Sequence, residues 1–491
     1  MRLSSLVRRI SLRKHPLRGL ATGGCLLLLA SLLSACGKDD IAIDPATPSG
    51  YETDEEYSGG RVGTTFDLSV NAFGSVAKNL SGNADGAFVV GNSLFRSNWV
   101  VAPASVPSRD GLGPLLNAVS CGSCHTLDGR GQAPKTEADR LSDLLIRLSR
   151  PGTDAHGGPL PDPAYGGQLN GRANPGVTAE GDMLVRYTEQ PGSYPDGTAY
   201  SLRQPSYTWR DLGYGPMPAD ILFSPRVAMQ IPGLGLLAAV DATTIEALAD
   251  PSDADGDGVS GRPNYVWDKH ANRATLGRFG WKANQPTLRQ QVADAFAGDM
   301  GLSSNLHPSE ELSDIQVSQF QYNLLPNGGM PEVADSQMDA VTFYCSTLAV
   351  PVRRNSNAAP VLRGKQLFVQ VGCGKCHTPK LTTGRSGDIP EFANQTIRPY
   401  TDLLLHDMGV GLADGRPDFL ASGQEWRTPP LWGLGMIRTV SGHTTLLHDG
   451  RARNAEEAIL WHGGEAAGAR QKFVNLPKDD RTQLLQFLQS L

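Results

Sequence analysis

Cys121-Gly-Ser-Cys-His125 and Cys373-Gly-Lys-Cys-His377 are the two stretches that decide the architecture. In Cys-x-x-Cys-His the two thiols add across the vinyl groups of haem, and the adjacent His ligates the iron from one face. A thioredoxin-like redox pair or half of a zinc site also uses Cys-x-x-Cys, but neither needs a His directly after the second Cys. The two copies imply two covalently bound c-type haems. Cys121, Cys124, Cys373 and Cys376 are the anchors, and His125 and His377 the proximal ligands.

Outward from these motifs the chain repeats itself in order. After the first come Tyr207–Gly215 and Arg226–Gly235; after the second come Tyr400–Gly411 and Arg427–Gly435. Superposing the repeats sets Met408, in Asp-Met-Gly, against Leu212, in Asp-Leu-Gly. A thioether is a soft axial ligand that raises the potential of a His-ligated haem, and leucine cannot ligate. The expectation is a closed His377/Met408 haem and an open iron on His125. Met300, in a second Asp-Met-Gly, competes with Met408. Arg427 is a candidate partner for a haem propionate, because a buried carboxylate needs a cation. His443, His448 and His462 read as structural hydrogen-bonders before ligands, and His156 as a surface residue.

The whole chain has 491 residues and a formal charge of -6. All six charged residues of the first 35 are cations (Arg2, Arg8, Arg9, Arg13, Lys14, Arg18), so the remainder carries -12. That balance leaves no basic footprint for nucleic acid. The basic start, a short apolar core from Leu20 to Leu33 and the box Leu33-Ser-Ala-Cys36 read as a lipoprotein export signal. Cys36 is then the acylated residue, anchoring the chain to a bacterial membrane on its periplasmic side. Seven cysteines are thereby accounted for: Cys25 in the signal, Cys36, the four of the motifs, and Cys345 in an apolar context that reads as core.

Periodic segments read as helical, among them Glu137–Leu148, Val333–Leu348 and Arg481–Leu491, while strand-like alternation is scarce. With 56 Gly and 34 Pro, long connections are expected between helices, so the body should be mainly α. The expected organisation is a signal peptide over 1–35, a flexible tether over 36–62, and two domains over 63–330 and 331–491. Asp253, Asp255 and Asp257 open a calcium-like loop, but its twelfth position is Asn264 and not Glu.

Gly111-Leu-Gly-Pro, Ser120–Gly131, Asp255–Asn264, Gly277–Lys282, Glu425–Gly435 and Leu447–Ala466 together resemble the bacterial di-haem oxidoreductases related to di-haem cytochrome c peroxidases. The resemblance implies two cytochrome-c-like helical domains whose haems face a shared interface. It also implies reduction of hydrogen peroxide at the N-terminal haem, with electrons relayed by the C-terminal one. The acid–base glutamate of the peroxidases has only Glu180 and Glu189 as candidates here. The expected electron source is a small cytochrome, a cupredoxin or a quinol chain. The rival readings are an electron-transfer lipoprotein with two closed haems and a high-valent di-haem oxidase acting on a protein.

Overall fold

Three helices build the larger core. In the computed structural model, which describes residues 50–320, 325, 327–385 and 387–491, α1 spans Ala84–Arg96, α2 Leu288–Met300 and α3 Asp335–Thr347. The Thr287 side chain caps α2 by accepting from the Gln290 amide, and Gly301, at φ +65°, ends it in the left-handed conformation. Phe95, Trp99, Phe296, Met300, Val341, Tyr344 and Cys345 meet in this core, as do Leu403, Leu404 and Trp432 from late in the sequence. The core therefore draws on sequence from both sides of residue 330, and residues 50–491 fall within one compact unit.

A second core forms where α4 (Ala359–Gln370) lies on the C-terminal helix, Lys478–Ser490. Pro360 opens α4, where its missing N–H has no partner to lose. Leu367, Phe368, Leu484, Phe487 and Leu488 fill the seam. Gly364 sets its closeness: a Cβ there would stand 2.0 Å from the Gln483 carbonyl oxygen.

The chain is not mainly α. It is 29% helical and 20% strand, with many small sheets. β1 (Leu144–Thr153) covers the end of the segment Glu137–Leu148 that reads as helix. Leu144, Ile146 and Leu148 are all buried, which is period two. Leu145 and Leu141 add apolar positions that mimic a helical stripe, so periodicity alone misassigns it. β2 (Asp182–Ser193) and β3 (Ala199–Arg210) make a long antiparallel hairpin, and β4 (Leu222–Val227) pairs with β1. Much of the hairpin is exposed or half-buried on both faces, so it lacks a hydrophobic alternation to announce it.

The hairpin clasps the C-terminal part of the chain. Its tip buries Tyr194, whose hydroxyl donates to Glu456 at 2.7 Å under the Arg481 guanidinium. Asp196 pairs with Arg481 at 2.6 Å, Arg203 donates to the carbonyls of Gly450 and Arg451, and Tyr207 donates to Asp449. Further on, β5 (Leu405–Asp407) and β6 (Glu425–Arg427) form a short antiparallel ribbon.

The export segment, Cys36 and the tether up to residue 49 lie outside the described residues. From residue 50 the chain is held to the body: Glu55 is buried against Lys365 and Arg353 at 2.5 and 3.3 Å. No helix among the described residues is long and apolar enough to cross a membrane.

Gly364→Ala should lower stability by about 1–3 kcal/mol, the usual cost of overpacking. Gly468→Ala, with nothing within 4 Å of the added Cβ, should be neutral or slightly stabilising. Urea midpoints of the two haem-loaded variants measure the difference.

Candidate functional site

His125 follows a single helical turn, Cys121–Cys124, laid against α1. The chain then turns sharply through Leu127 and Asp128, both at positive φ. Asp128, wholly buried, accepts from the Tyr344 hydroxyl at 2.7 Å and from Arg96 at 2.5 Å, which ties the motif to α3 and α1. Burial raises its carboxyl to about 6 against the opposing pull of these two donors.

A cavity opens beside Cys121, Cys124 and His125. Phe95 packs near the His125 ring, with centroids 6.1 Å apart. Burial holds His125 down at about 4, so its imidazole is neutral and available as a ligand. The ring lies near the Met229 and Gly129 backbones, but Nδ1 makes no aligned hydrogen bond. Cys345 is buried as expected, and it also lines this cavity. None of the five described cysteines is in a disulfide.

The charges around the cavity fit a haem. Arg147, Arg226, Arg278 and Arg427 line it. Arg226 is neutralised by Asp418 at 2.9 Å. Arg278 donates only to the carbonyls of Leu237, Ala238 and Val240. Arg427 donates to the carbonyls of Gly280 and Thr428 and points Nη2 at the Met229 sulphur, 3.6 Å away. Neither has a carboxylate within ion-pair distance among the described residues, and burial pushes Arg427 down to about 10. Arg147 likewise makes no ion pair among the described residues, so three of the four lack one; Arg278 and Arg427, held by carbonyls, fit haem propionates.

Asp299 is the only carboxylate lining the cavity among the described residues. Gln168 donates to its Oδ1 at 2.9 Å, and its backbone carbonyl accepts from Asn117 and Ala118 just before the motif. Burial raises its carboxyl, and Arg147 opposes the shift. Asp299 sits in the Asp-Met-Gly segment that draws notice for Met300, and its polarity is the signal passed over. Met300 and Met229 both line the cavity of His125, so Met300 belongs to the first site and not the second.

The candidate acids Glu180 and Glu189 are elsewhere. Glu180 is buried, accepting from the Asn170 amide and from Gln316, and desolvation lifts it to about 8. Glu189 lies exposed on the hairpin, paired with Arg453 at 3.0 Å. Neither lines the cavity of His125.

The second motif gathers three other segments. His377 Nδ1 faces the Tyr400 carbonyl at 3.0 Å, which leaves Nε2 free, and Phe368 packs near the ring. Burial and the charge of nearby His462 hold His377 at about 4. His406, buried, lies between Asp402 and Glu465 at 2.9 and 2.8 Å and touches the Cys376 sulphur at 3.5 Å. Met408 follows at the end of β5, its backbone against Gly463. His443 accepts and donates within the loop around Arg130, His448 stacks on Trp426, and His156 stacks on Trp267 at the surface.

The acidic loop contributes Asp250, Asp253 and Asp255, whose ligand atoms lie within 4.8 Å of one another. Asp257 turns away to pair with Lys375, inside the second motif, at 2.9 Å.

A cavity walled by Cys-x-x-Cys-His and propionate-ready arginines defines a haem oxidoreductase. A family model described as "di-haem oxidoreductase, putative peroxidase" matches residues 52–491, and the chain belongs to that family, which carries two haems. None of the curated proteins searched matches the chain.

Replacing Cys121 and Cys124 by Ala should leave one haem per chain by pyridine haemochrome assay, whereas Cys345→Ala should leave two. Glu180 keeps its proton longer in the folded than in the unfolded chain. Stability should therefore fall as pH rises from about 4.5 towards about 8. Glu180→Gln should flatten that part of the profile in urea denaturation.

Proposed function

We propose that the protein is an exported, lipid-anchored di-haem peroxidase that reduces hydrogen peroxide to water at the His125 site. Its electrons come through the His377 site from a small cytochrome, a cupredoxin or a quinol chain. Both haems would be held as thioethers, on Cys121 and Cys124 and on Cys373 and Cys376. When bound, they supply the one-electron iron chemistry that breaks the O–O bond. The reaction consumes two electrons and two protons per peroxide and yields two waters.

The observation that carries this reading is Asp299, a carboxyl raised by burial and set alone in the cavity of His125. A buried carboxyl that holds its proton more tightly than a free one can give it to a departing oxygen and take it back from water. Gln168 fixes its Oδ1, leaving Oδ2 as the atom that exchanges the proton. Arg278 and Arg427 hold the propionate edge, and Phe95, Leu288 and Val292 keep the cavity wall apolar. Export, the anchor at Cys36 and the periplasmic side rest on the N-terminal sequence. The Asp250–Asp255 carboxylates are offered here as a calcium site that steadies the loop beside Lys375.

A second reading has its own observation. Met300 and Met229 line the same cavity, and a thioether on the first iron would make the protein an electron-transfer lipoprotein. Electron paramagnetic resonance of the oxidised, haem-loaded protein separates them: one high-spin and one low-spin signal support the peroxidase, two low-spin signals the carrier. Asp299→Asn should cut kcat/KM for peroxide by about 10²–10⁴ while leaving two haems per chain. Glu189→Gln should change it less than about twofold. An Asp299→Asn protein with full turnover would remove Asp299 from the mechanism.

A further inference from the structure

We propose that His462, rather than Met408, is the sixth ligand of the second haem. The inference rests on the reading of that haem as a closed electron relay. It starts from the rings. The Nδ1 of His462 faces the carbonyl of Ala458 at 2.6 Å, one turn back in the helix Ala455–Trp461 that His462 caps. That bond fixes the proton on Nδ1 and leaves the Nε2 lone pair free. His377 is arranged in the same way, with Nδ1 on the carbonyl of Tyr400 at 3.0 Å. Metal-bound imidazoles almost always donate their other N–H to such a partner, which orients the ring and raises its basicity.

Placement agrees with this. Cys373, in the motif, packs on the same apolar cluster as Ile459 and Leu460, three and two residues before His462. On the other side, Glu465 accepts from His406, which touches the Cys376 sulphur, and so holds the segment after His462 against the motif. The Asp407 amide also donates to Glu465, and Ser260 donates to it twice. A Cβ on Gly463, the next residue after His462, would stand 2.8 Å from the Met408 carbonyl oxygen, so His462 sits beside the segment that follows His406.

Met408 is in the same neighbourhood, but its side chain is already engaged. It packs on the cluster of Tyr207, Trp209, Leu212 and Trp426, and on the one formed by Leu412, Ala452 and Trp461. Leu212 packs against the first of these clusters too, so the two repeat-related residues share a packing role. Methionine fills such gaps readily.

A bis-imidazole haem has a lower potential than a His/Met one, since a thioether ligand raises it. The test uses the oxidised, haem-loaded protein and three variants, read by far-red absorption, electron paramagnetic resonance and potentiometry. The wild type should lack the far-red sulphur-to-iron band. Met408→Leu should keep the low-spin signal and the potential of the second haem. His462→Ala should turn that haem high-spin, and added imidazole should restore it. His462→Met should create the far-red band and raise the potential. A far-red band in the wild type that Met408→Leu abolishes would overturn the assignment, as would a low-spin signal unaltered in His462→Ala. If His462→Ala yields no loaded protein, the wild type and Met408→Leu still decide. Peroxide turnover is measured separately. Its absence in a wild type with an imidazole-rescued His462→Ala would sink the peroxidase reading and leave the ligand in place.

Discussion

Two guanidiniums in a cavity wall, with no carboxylate among the described residues at ion-pair distance, set the terms for the first site. A charge withdrawn from water is costly unless an opposite charge or good hydrogen bonds replace the solvent. Among the described residues Arg278 and Arg427 have carbonyls but no carboxylate within ion-pair distance, and the dianionic edge of a haem would complete them. Arg278 draws its carbonyls from Leu237, Ala238 and Val240, and Arg427 from Gly280 and Thr428. Placing these two side chains thus ties together three distant parts of the sequence.

Arg427 also joins the two sites. It ends β6, and its neighbour in the ribbon, β5, carries His406. Arg427 faces the first cavity while His406 meets the Cys376 sulphur. Trp426, between them in the register, carries Lys282 over its ring and His448 stacked on it. Lys282 is wholly buried and paired with Asp414 at 2.9 Å, and desolvation lowers it to about 8.

The family and the helix at 335–347 were legible because each has a local pattern with one dominant reading. The strands were not. Leu144, Ile146 and Leu148 alternate, but Leu141 and Leu145 overlay a helical period. The hairpin from Asp182 to Arg210 is a clasp over other parts of the chain, so its stability comes from Tyr194, Arg203 and Tyr207 meeting distant partners. Such contacts leave no periodic trace. Asp299 was hidden for a different reason: its neighbour Met300 offered a more obvious chemistry. Glu180 looked like an acid for catalysis, and it is one for packing, held by Asn170 and Gln316.

The spread of the first wall has a consequence for how the molecule is made. Phe95 and His125 leave the ribosome early, but Trp281, Asp299, Cys345, Arg427 and Pro430 complete the same cavity. The clasp at Tyr194 waits longer still, for Glu456 and Arg481. Neither half can finish its site alone. The cavity beside Cys121 therefore closes only once the second half of the chain is in place.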